Sequence, residues 1–269
     1  MDVRSVLFLP ANRPKLAEKI AAIGPDVAVL DLEDAVRPAE KDQAREIAVT
    51  SLAGLDTGNT RMFVRVNPPN SAWFSADLGA LAGLDVGVVV PKYENPDTLE
   101  KVRARIGDVP VVVGLETAHG VADARDLLTA DVDHTYFGAE DYIADLGGRR
   151  TPGGLEVLAA RSQVVLAARL GGVGSIDQAV VDVRDEKVFA TDANAGRALG
   201  YSGKICLHPT QVALAHQIFS PTPEEVAHAE RVVAAVESDS GVAVIDGIMV
   251  DEVHLRAARA ILARATRGL

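Results

Sequence analysis

Eight short apolar runs, rich in valine and isoleucine, recur over the first 209 residues and alternate with segments of helical character. Near-continuous apolar strands that alternate with helices are typical of a parallel sheet covered on both faces. Eight such units predict an α/β fold, a (β/α)₈ or TIM barrel, with a doubly wound open sheet as the alternative. The runs span residues 6–10, 27–34, 61–67, 86–92, 109–117, 135–141, 173–180 and 204–209.

The pattern changes after residue 220, so we expect a barrel over residues 1–220 and a short helical extension or lid over 221–269. A barrel does not require this extension, which could instead reach a neighbouring subunit. Its predicted elements are a helix that Thr222 caps and Pro223 begins, an arm or hairpin over 241–253, and a helix over 252–267.

Charge and composition exclude several classes of partner. The formal net charge of −11 repels nucleic acid and anionic membranes, so neither is an expected partner. No stretch approaches the ~20 apolar residues of a membrane span, and the N-terminal apolar run is too short for a signal peptide. The single cysteine, Cys206, forms no internal disulfide and is expected to be a core residue. We therefore expect a cytoplasmic protein.

Charged side chains recur where the predicted strands end. In a parallel barrel the active site lies at the carboxyl ends of the strands. A lone acid there is usually a solvated strand end, but acids at the same end of several strands indicate a functional site. These residues are Asp31, Glu33 and Asp34 after the second strand, Arg65 and Asn67 in the third, Lys92 in the fourth, Glu116 in the fifth, Glu140 and Asp141 in the sixth, and His208 in the eighth.

Two of these acids suggest a metal site. Glu116 and Asp141 fall on consecutive predicted strands, whose spacing of ~4.8 Å lets their side chains meet. Two carboxylates suit Mg²⁺, which also takes waters and substrate oxygens. Glu33 or Asp34 could hold the waters of the metal. Arg65 is suited to a substrate carboxylate through its planar fork, and a salt bridge to Glu33 or Asp34 is the alternative or additional role.

With these residues the sequence resembles a known family, the citrate lyase β-subunit-like branch of the HpcH/HpaI aldolase superfamily. This branch is related to malyl-CoA and citramalyl-CoA lyases. The resemblance covers nearly the whole chain in the same order of motifs. The motifs are RSVLFLPANRP (4–14), VLDLEDAV (29–36), VRVN (64–67), VPK (90–92), GLETAHG (114–120), FGAEDYIADLGG (137–148), KICLHPTQV (204–212) and GIMVDE (247–252).

The resemblance implies a (β/α)₈ barrel that binds Mg²⁺, a small 2-oxo acid (oxaloacetate, pyruvate or glyoxylate) and a thioester of CoA or an acyl carrier. It also implies a homotrimer or a multiple of it, with Asp251 contributed to the site of the adjacent subunit. The implied roles are Glu116 and Asp141 as metal ligands, Arg65, Glu116, Glu33 and Asp34 as substrate-binding residues, Arg65 and Asp251 as catalytic residues, and Arg13, Lys19 and Lys41 as contacts for CoA phosphates.

The function expected from this resemblance is a Mg²⁺-dependent carbon–carbon lyase. It would cleave or form a 3-hydroxy-3-carboxy acyl thioester of the citryl-, citramalyl- or malyl-CoA type. Two alternatives stay open at the level of sequence. One is a malyl-CoA type thioesterase that uses the same metal site, and the other is a non-catalytic subunit that retains the pocket.

Overall fold

The computed structural model describes residues 3–238 and 241–267. These residues form two compact units, Val3–Ala215 and a second unit that begins at His216. The division falls within a helix, α11 (Pro209–Phe219). The boundary expected at residue 220 lies just beyond that helix, and the assignment of separate roles to the two segments stays a prediction.

The first unit is a closed barrel of eight parallel strands. Each strand pairs with the next along the chain, and Ser5–Leu7 pairs with Lys204–Cys206 to close the barrel. The predicted (β/α)₈ barrel is therefore confirmed, and the open sheet is excluded. The strands are β1 (Ser5–Pro10), β2 (Val27–Asp31), β3 (Arg61–Arg65), β4 (Gly87–Val90), β5 (Val111–Leu115), β6 (His134–Phe137), β7 (Gly174–Asp177) and β8 (Gly203–Cys206).

The barrel interior is apolar, with valines and rings from alternate strand positions packed into one cluster. Glycines on neighbouring strands make room for the rings. A Cβ atom at Gly87 would lie 2.1 Å from the ring of Phe63, and one at Gly174 would lie 2.2 Å from the ring of His134. These close approaches explain why glycine interrupts otherwise valine-rich strands, including the weakly patterned seventh strand.

Helices surround the barrel, and they include the segments with the clearest helical pattern. The helix α5 (Asp97–Ile106) is followed by Gly107, whose φ of 81° lies in the left-handed region that favours glycine. The helices are α1 (Pro14–Ala17), α2 (Ile20–Ile23), α3 (Lys41–Leu52), α4 (Phe74–Leu81), α5 (Asp97–Ile106), α6 (Ala118–Ala122), α7 (Ala124–Leu127), α8 (Ala139–Asp145), α9 (Leu155–Gly171) and α10 (Glu186–Leu199), with a 3₁₀ turn over Pro38–Glu40.

The second unit has the elements that its sequence predicts: α12 (Pro223–Ser238), the hairpin strands β9 (Ala243–Ile245) and β10 (Ile248–Val250), and α13 (Glu252–Arg267). Thr222 and Glu225 form a capping box, in which the Thr222 hydroxyl accepts from the Glu225 amide at 3.2 Å and the Glu225 carboxylate accepts from the Thr222 amide at 2.8 Å. Apolar residues of all four elements form one core. None of the helices in the described ranges is long and apolar enough to cross a membrane.

Candidate active site

A cavity of about 490 Å³ opens at the carboxyl ends of the barrel strands. Its lining includes Asp31, Asp34, Arg65, Glu116 and Asp141. The structure thus brings together acids and a base that are distant in the sequence. Together with Glu33, Lys92 and Lys41, these residues are called the mouth cluster.

Arg65 is held by the protein's own carboxylates. Because β2 and β3 pair Asp31 with Arg65 in register, the guanidinium meets Asp31 edge-on, with Nε and Nη2 each 2.7 Å from a carboxylate oxygen. Nη1 lies 2.8 Å from Glu33 Oε2. Burial opposes the negative charge of Asp31, but the neighbouring Arg65 lowers the pKa of Asp31 below its ordinary value.

This geometry changes the interpretation of Arg65. The bidentate edge that the sequence assigned to a substrate carboxylate is taken by Asp31, and Nη2 lies 3.8 Å from Asp34. The structure shows the alternative role of Arg65, a salt bridge within the barrel, and its partner there is Glu33. Arg65 still lines the cavity, where it supplies fixed positive charge.

Glu116 is one of the deeply buried acids of the site. Its side chain follows β5 and is buried, with 2 % of the residue exposed. Oε1 accepts hydrogen bonds from the Lys92 amide at 2.7 Å and the Tyr136 hydroxyl at 3.1 Å. Burial, together with the negative charges of Glu33 and Asp141, raises the pKa of Glu116 to about 7. A buried carboxylate in this environment is stabilised by a cation.

Glycines create the space that Glu116 occupies. A Cβ atom at Gly138 would lie 2.3 Å from Glu116 Oε2, and one at Gly114 would lie 2.3 Å from the Tyr136 hydroxyl. Any larger residue at either position would therefore displace the carboxylate or its hydrogen-bond donor. Packing at the site thus explains Gly114 of GLETAHG and Gly138 of FGAEDYIADLGG.

Asp141 corrects one sequence prediction. The sixth strand was expected to continue to residue 141, but β6 ends at Phe137 and Asp141 lies in the first turn of α8. The carboxylate therefore reaches the cavity from a helix rather than from a strand end. Its Oδ1 lies 3.2 Å from Lys92 Nζ. Glu140, in the same turn, instead pairs with Arg150.

Glu33 and Asp34 occupy different environments. Glu33 is buried, and its Oε1 accepts a hydrogen bond from Lys92 Nζ at 2.6 Å. Burial is the largest cause that raises the pKa of Glu33, and Arg65 opposes the shift. Asp34 has 59 % of its side chain exposed and lines the cavity. Only Asp34 of this pair is open to solvent, so their predicted roles at metal-bound waters are not equivalent.

The three predicted phosphate contacts differ in accessibility. Arg13 and Lys19 are exposed. Lys41 is buried, and its ammonium donates to the carbonyl oxygens of Leu32 and Glu33, each at 2.7 Å. That burial does not support the predicted phosphate contact of Lys41, because its hydrogen bonds hold the loop that carries Glu33.

Asp251 lies in the second unit, immediately before α13. Its Oδ1 accepts from the Val253 amide at 3.0 Å and contacts His254 Nδ1 at 2.8 Å. The hydrogen bond with His254 is the main cause that lowers the pKa of Asp251. The side chain is 35 % exposed. This placement shows a helix-capping role, and the catalytic role stays a prediction.

The chemistry of the mouth cluster fits a divalent cation. Acidic side chains outnumber basic ones among its members, and no three acidic, histidine or cysteine side chains converge as a complete metal site in the described ranges. Mg²⁺ needs only one or two protein carboxylates, because it retains waters and takes substrate oxygens. The pair that suits this demand is Glu116, which accepts from the Lys92 amide, and Asp141, which lies beside the Lys92 ammonium.

Comparisons with known proteins agree with this geometry. The family described as "HpcH/HpaI aldolase/citrate lyase" matches residues 4–209. The chain belongs to this family. It is 45% identical to the citrate lyase subunit beta-like protein of Deinococcus radiodurans, over 97% of this chain and 96% of the relative.

Two further relatives of this family are informative. The (3S)-malyl-CoA thioesterase of Cereibacter sphaeroides is 35% identical, over 97% of this chain and 94% of the relative. The Mycobacterium tuberculosis protein CitE, solved in complex with magnesium, acetoacetate and coenzyme A, has 34% identity and a TM-score of 0.85, with 97% of each chain covered. The chain is accordingly an enzyme of an aldolase and lyase family.

The sequence did not predict two contacts within the site. Tyr136 is a hydrogen-bond partner of Glu116, and Lys92 joins Glu33 and Asp141. The mid-strand position of Tyr136 indicated only a core residue. Lys92 was noted as a strand end, and its φ of 48° has no signal in a single sequence.

Other strand-end residues have structural roles. Asn67 donates to the buried carboxylate of Asp77 through its amide group at 2.7 Å. His208 is exposed and contacts the Thr210 hydroxyl at 3.0 Å. Cys206 is buried as expected, and burial raises the pKa of its thiol to about 12.

Proposed function

We propose that this protein is a Mg²⁺-dependent carbon–carbon lyase. Its substrate would be a 3-hydroxy-3-carboxy acyl thioester of the citryl-, citramalyl- or malyl-CoA type, and its products a 2-oxo acid and an acyl thioester. The observation that carries the proposal is the buried Glu116 carboxylate, whose pKa of about 7 reflects burial beside Glu33 and Asp141. A nearby cation favours the ionised form of such a carboxylate.

Glu116 and Asp141 would hold the Mg²⁺ ion, which supplies Lewis acidity to the oxygens of the oxo-acid portion when it is bound. Arg65 would add fixed positive charge beside the same portion, and its orientation is set by Asp31. Preorganised charge of this kind stabilises the charge that develops as the bond breaks. Asp34, exposed at the cavity, would contact the waters or the substrate.

The chemistry of cleavage follows from the substrate class. A base removes the hydroxyl proton, the C–C bond breaks, and its electron pair passes to the acyl thioester as an enolate. Asp251 would then protonate the enolate carbon, or remove that proton in the condensation direction. Because Asp251 belongs to the second unit, we propose that the second unit of a neighbouring subunit completes the site in a homotrimer.

The thioester partner is the least constrained part of the proposal. Arg13 and Lys19 are exposed and would contact the phosphates of a CoA thioester. The relative solved with coenzyme A supports a CoA ligand. Lys41 is left out of this role because of its buried hydrogen bonds to carbonyl oxygens.

A coupled assay tests the proposal directly. Citryl-, malyl- and citramalyl-CoA are each incubated with the enzyme, with Mg²⁺ present or chelated, and 2-oxo acid and free CoA are quantified. The proposal expects Mg²⁺-dependent release of a 2-oxo acid, with oxaloacetate, glyoxylate and pyruvate as the respective products. Release of free CoA without an oxo acid would contradict it.

Thioester hydrolysis is the second candidate, and the 35% identical malyl-CoA thioesterase favours it. In this reaction water attacks the thioester while the mouth cluster holds the carboxylate end. The same assay separates the two reactions. A subunit that retains an idle pocket would show neither product and no binding of Mg²⁺ by calorimetry.

A further inference from the structure

Lys92 connects three acids of the mouth cluster. Its Nζ lies 2.6 Å from Glu33 Oε1 and 3.2 Å from Asp141 Oδ1. Its backbone amide donates to Glu116 Oε1 at 2.7 Å. Lys92, which follows β4, therefore contacts carboxylates that follow β2, β5 and β6.

The backbone of Lys92 is shaped for these contacts. Its φ of 48° lies in the left-handed region, which in the described ranges includes only one other non-glycine residue, Asp246. Unusual backbone conformations of this kind persist where the surroundings hold them, often at functional sites. At Lys92 the amide and the ammonium both point to acids, so the side chain and the backbone fix the same cluster.

We propose that Lys92 sets the affinity of the mouth cluster for a divalent cation by competing with that cation for the Asp141 carboxylate. The inference rests on the proposed function, which assigns Glu116 and Asp141 to Mg²⁺. A carboxylate 3.2 Å from an ammonium must share its charge with that group when a metal ion approaches. The ammonium also repels the ion directly.

Glu33 makes this competition reversible. It holds the Lys92 ammonium with a shorter contact, 2.6 Å against 3.2 Å for Asp141. Glu33 is also the more buried of the two acids, with 4 % of its side chain exposed against 35 %. Lys92 therefore retains a partner when Asp141 turns to a metal ion. Lys92 lowers the affinity of the protein carboxylates alone, and the substrate's oxygens then complete the binding of Mg²⁺.

Calorimetric titration of Mg²⁺ into three variants without substrate tests the inference. Lys92→Gln removes the charge and should bind Mg²⁺ about three- to tenfold more tightly than the wild type, since a nearby positive charge is lost. Lys92→Arg keeps the charge and should stay within about twofold. Lys101→Gln, at an exposed position of α5, is the matched control and should be unchanged.

The sign of the effect separates competition from a structural role. A residue that only supported the site would weaken Mg²⁺ binding when it is changed, so an equal or weaker affinity in folded Lys92→Gln overturns the inference. Failure of the proposed function looks different. It appears as equal Mg²⁺ binding by the wild type and Glu116→Gln, or as no binding by the wild type, whatever Lys92→Gln does.

A second measurement uses the wild-type protein, so it does not depend on the folding of Lys92→Gln. The Lys92 side-chain signal is observed by NMR with ¹³C-labelled lysine and is assigned by its loss in Lys92→Arg. Competition expects this signal to shift during the Mg²⁺ titration, with the dissociation constant that calorimetry gives. An unchanged Lys92 signal at saturating Mg²⁺ would overturn the inference.

Discussion

Two groups of buried charges in the barrel unit differ in their charge balance. The rear cluster consists of four residues: Arg161 on α9, Asp177 at the end of β7, Asp192 on α10 and Lys204 within β8. Arg161 meets Asp177 with two bonds of 2.7 and 2.6 Å, and Lys204 lies 2.8 Å from Asp177 and 2.5 Å from Asp192. Its acids and bases are equal in number and pair with one another.

The mouth cluster is not balanced in this way. Arg65 and Lys92 are shared among several acids, and Lys41 donates to backbone carbonyls. The pKa of Asp192 in the rear cluster is lowered, mainly by Lys204 and Arg161 against the effect of burial, while that of Glu116 is raised to about 7. A closed, neutral network needs no ligand, whereas an acidic excess at a cavity is typical of a functional site.

The proposed acid or base, Asp251, lies outside the mouth cluster, and its removal should reduce the rate of C–C cleavage more than any other change. Asp251→Ala should reduce C–C cleavage by about 10²–10⁴-fold, as expected when a positioned acid or base is removed. Affinity for Mg²⁺ and the 2-oxo acid should be retained, because the proposed function assigns the binding of both to the mouth cluster. Steady-state kinetics and calorimetry measure the two properties separately.

Subunit mixing is the companion experiment to this change. Asp251→Ala mixed with Arg65→Ala should regain part of the activity if Asp251 acts in a neighbouring subunit, because mixed trimers rebuild some complete sites. Absence of recovery, with subunit exchange demonstrated by mass spectrometry, would place the site within one chain or limit Asp251 to capping α13.

Breaking the rear cluster should affect stability rather than binding. Lys204→Met leaves Asp177 without one partner in a fully buried setting, and loss of one member of a buried pair typically destabilises by about 3–5 kcal/mol. Urea unfolding, followed by the fluorescence of the single tryptophan Trp73, measures the change. Lys187→Met, exposed on α10, should change stability little; an equal loss in both variants would remove the special role of the rear cluster.

Glu116→Gln should have the opposite effect on stability without metal. At pH 8 the ionised Glu116 opposes folding, because its pKa is higher in the folded protein than in the unfolded chain. Each pKa unit corresponds to about 1.4 kcal/mol, so the free energy of unfolding of the variant should be higher by about 1–3 kcal/mol. Its affinity for Mg²⁺ should fall about 100-fold, because a ligand is lost. Glu100→Gln, exposed on α5, is the control. A destabilised Glu116→Gln protein would show that the mouth cluster is structural like the rear cluster.

A smaller effect is the pH dependence of that gain. The Glu116 carboxyl titrates from the ordinary value of 4.5 when unfolded to about 7 when folded. Between these values the folded state binds more protons, so wild-type stability falls as pH rises. The stability difference from Glu116→Gln should be near zero below pH 4.5, grow up to about pH 7 and then level off. A difference that does not vary with pH would refute the shift.

The fold was predictable because local patterns and tertiary packing agree. The valine runs of β2, β4 and β5 are buried on both faces, as parallel strands require. The hairpin turn at Asp246–Gly247 has positive φ at both residues, which an Asp-Gly pair favours. The ends of elements were less predictable: the sixth strand was expected to reach residue 141, but α8 begins at Ala139.

The site was predictable in its acids but not in their partners. Glu116 was expected at the cavity because strand ends converge in a barrel, whereas Asp141 reaches it from the first turn of α8. The use of the Arg65 fork by Asp31, the burial of Lys41 and the rear cluster depend on side-chain packing between distant segments. Arg161 and Lys204, for example, have no spacing that indicates a shared partner.

We propose that the mouth cluster holds a divalent cation through Glu116 and Asp141. A crystal structure of the protein with Mg²⁺ and pyruvate would show whether it does. We expect one ion with an oxygen of each carboxylate at ~2.0–2.1 Å, the distance typical of Mg²⁺. An ion bound elsewhere, or one that meets only waters beside these two residues, would contradict it.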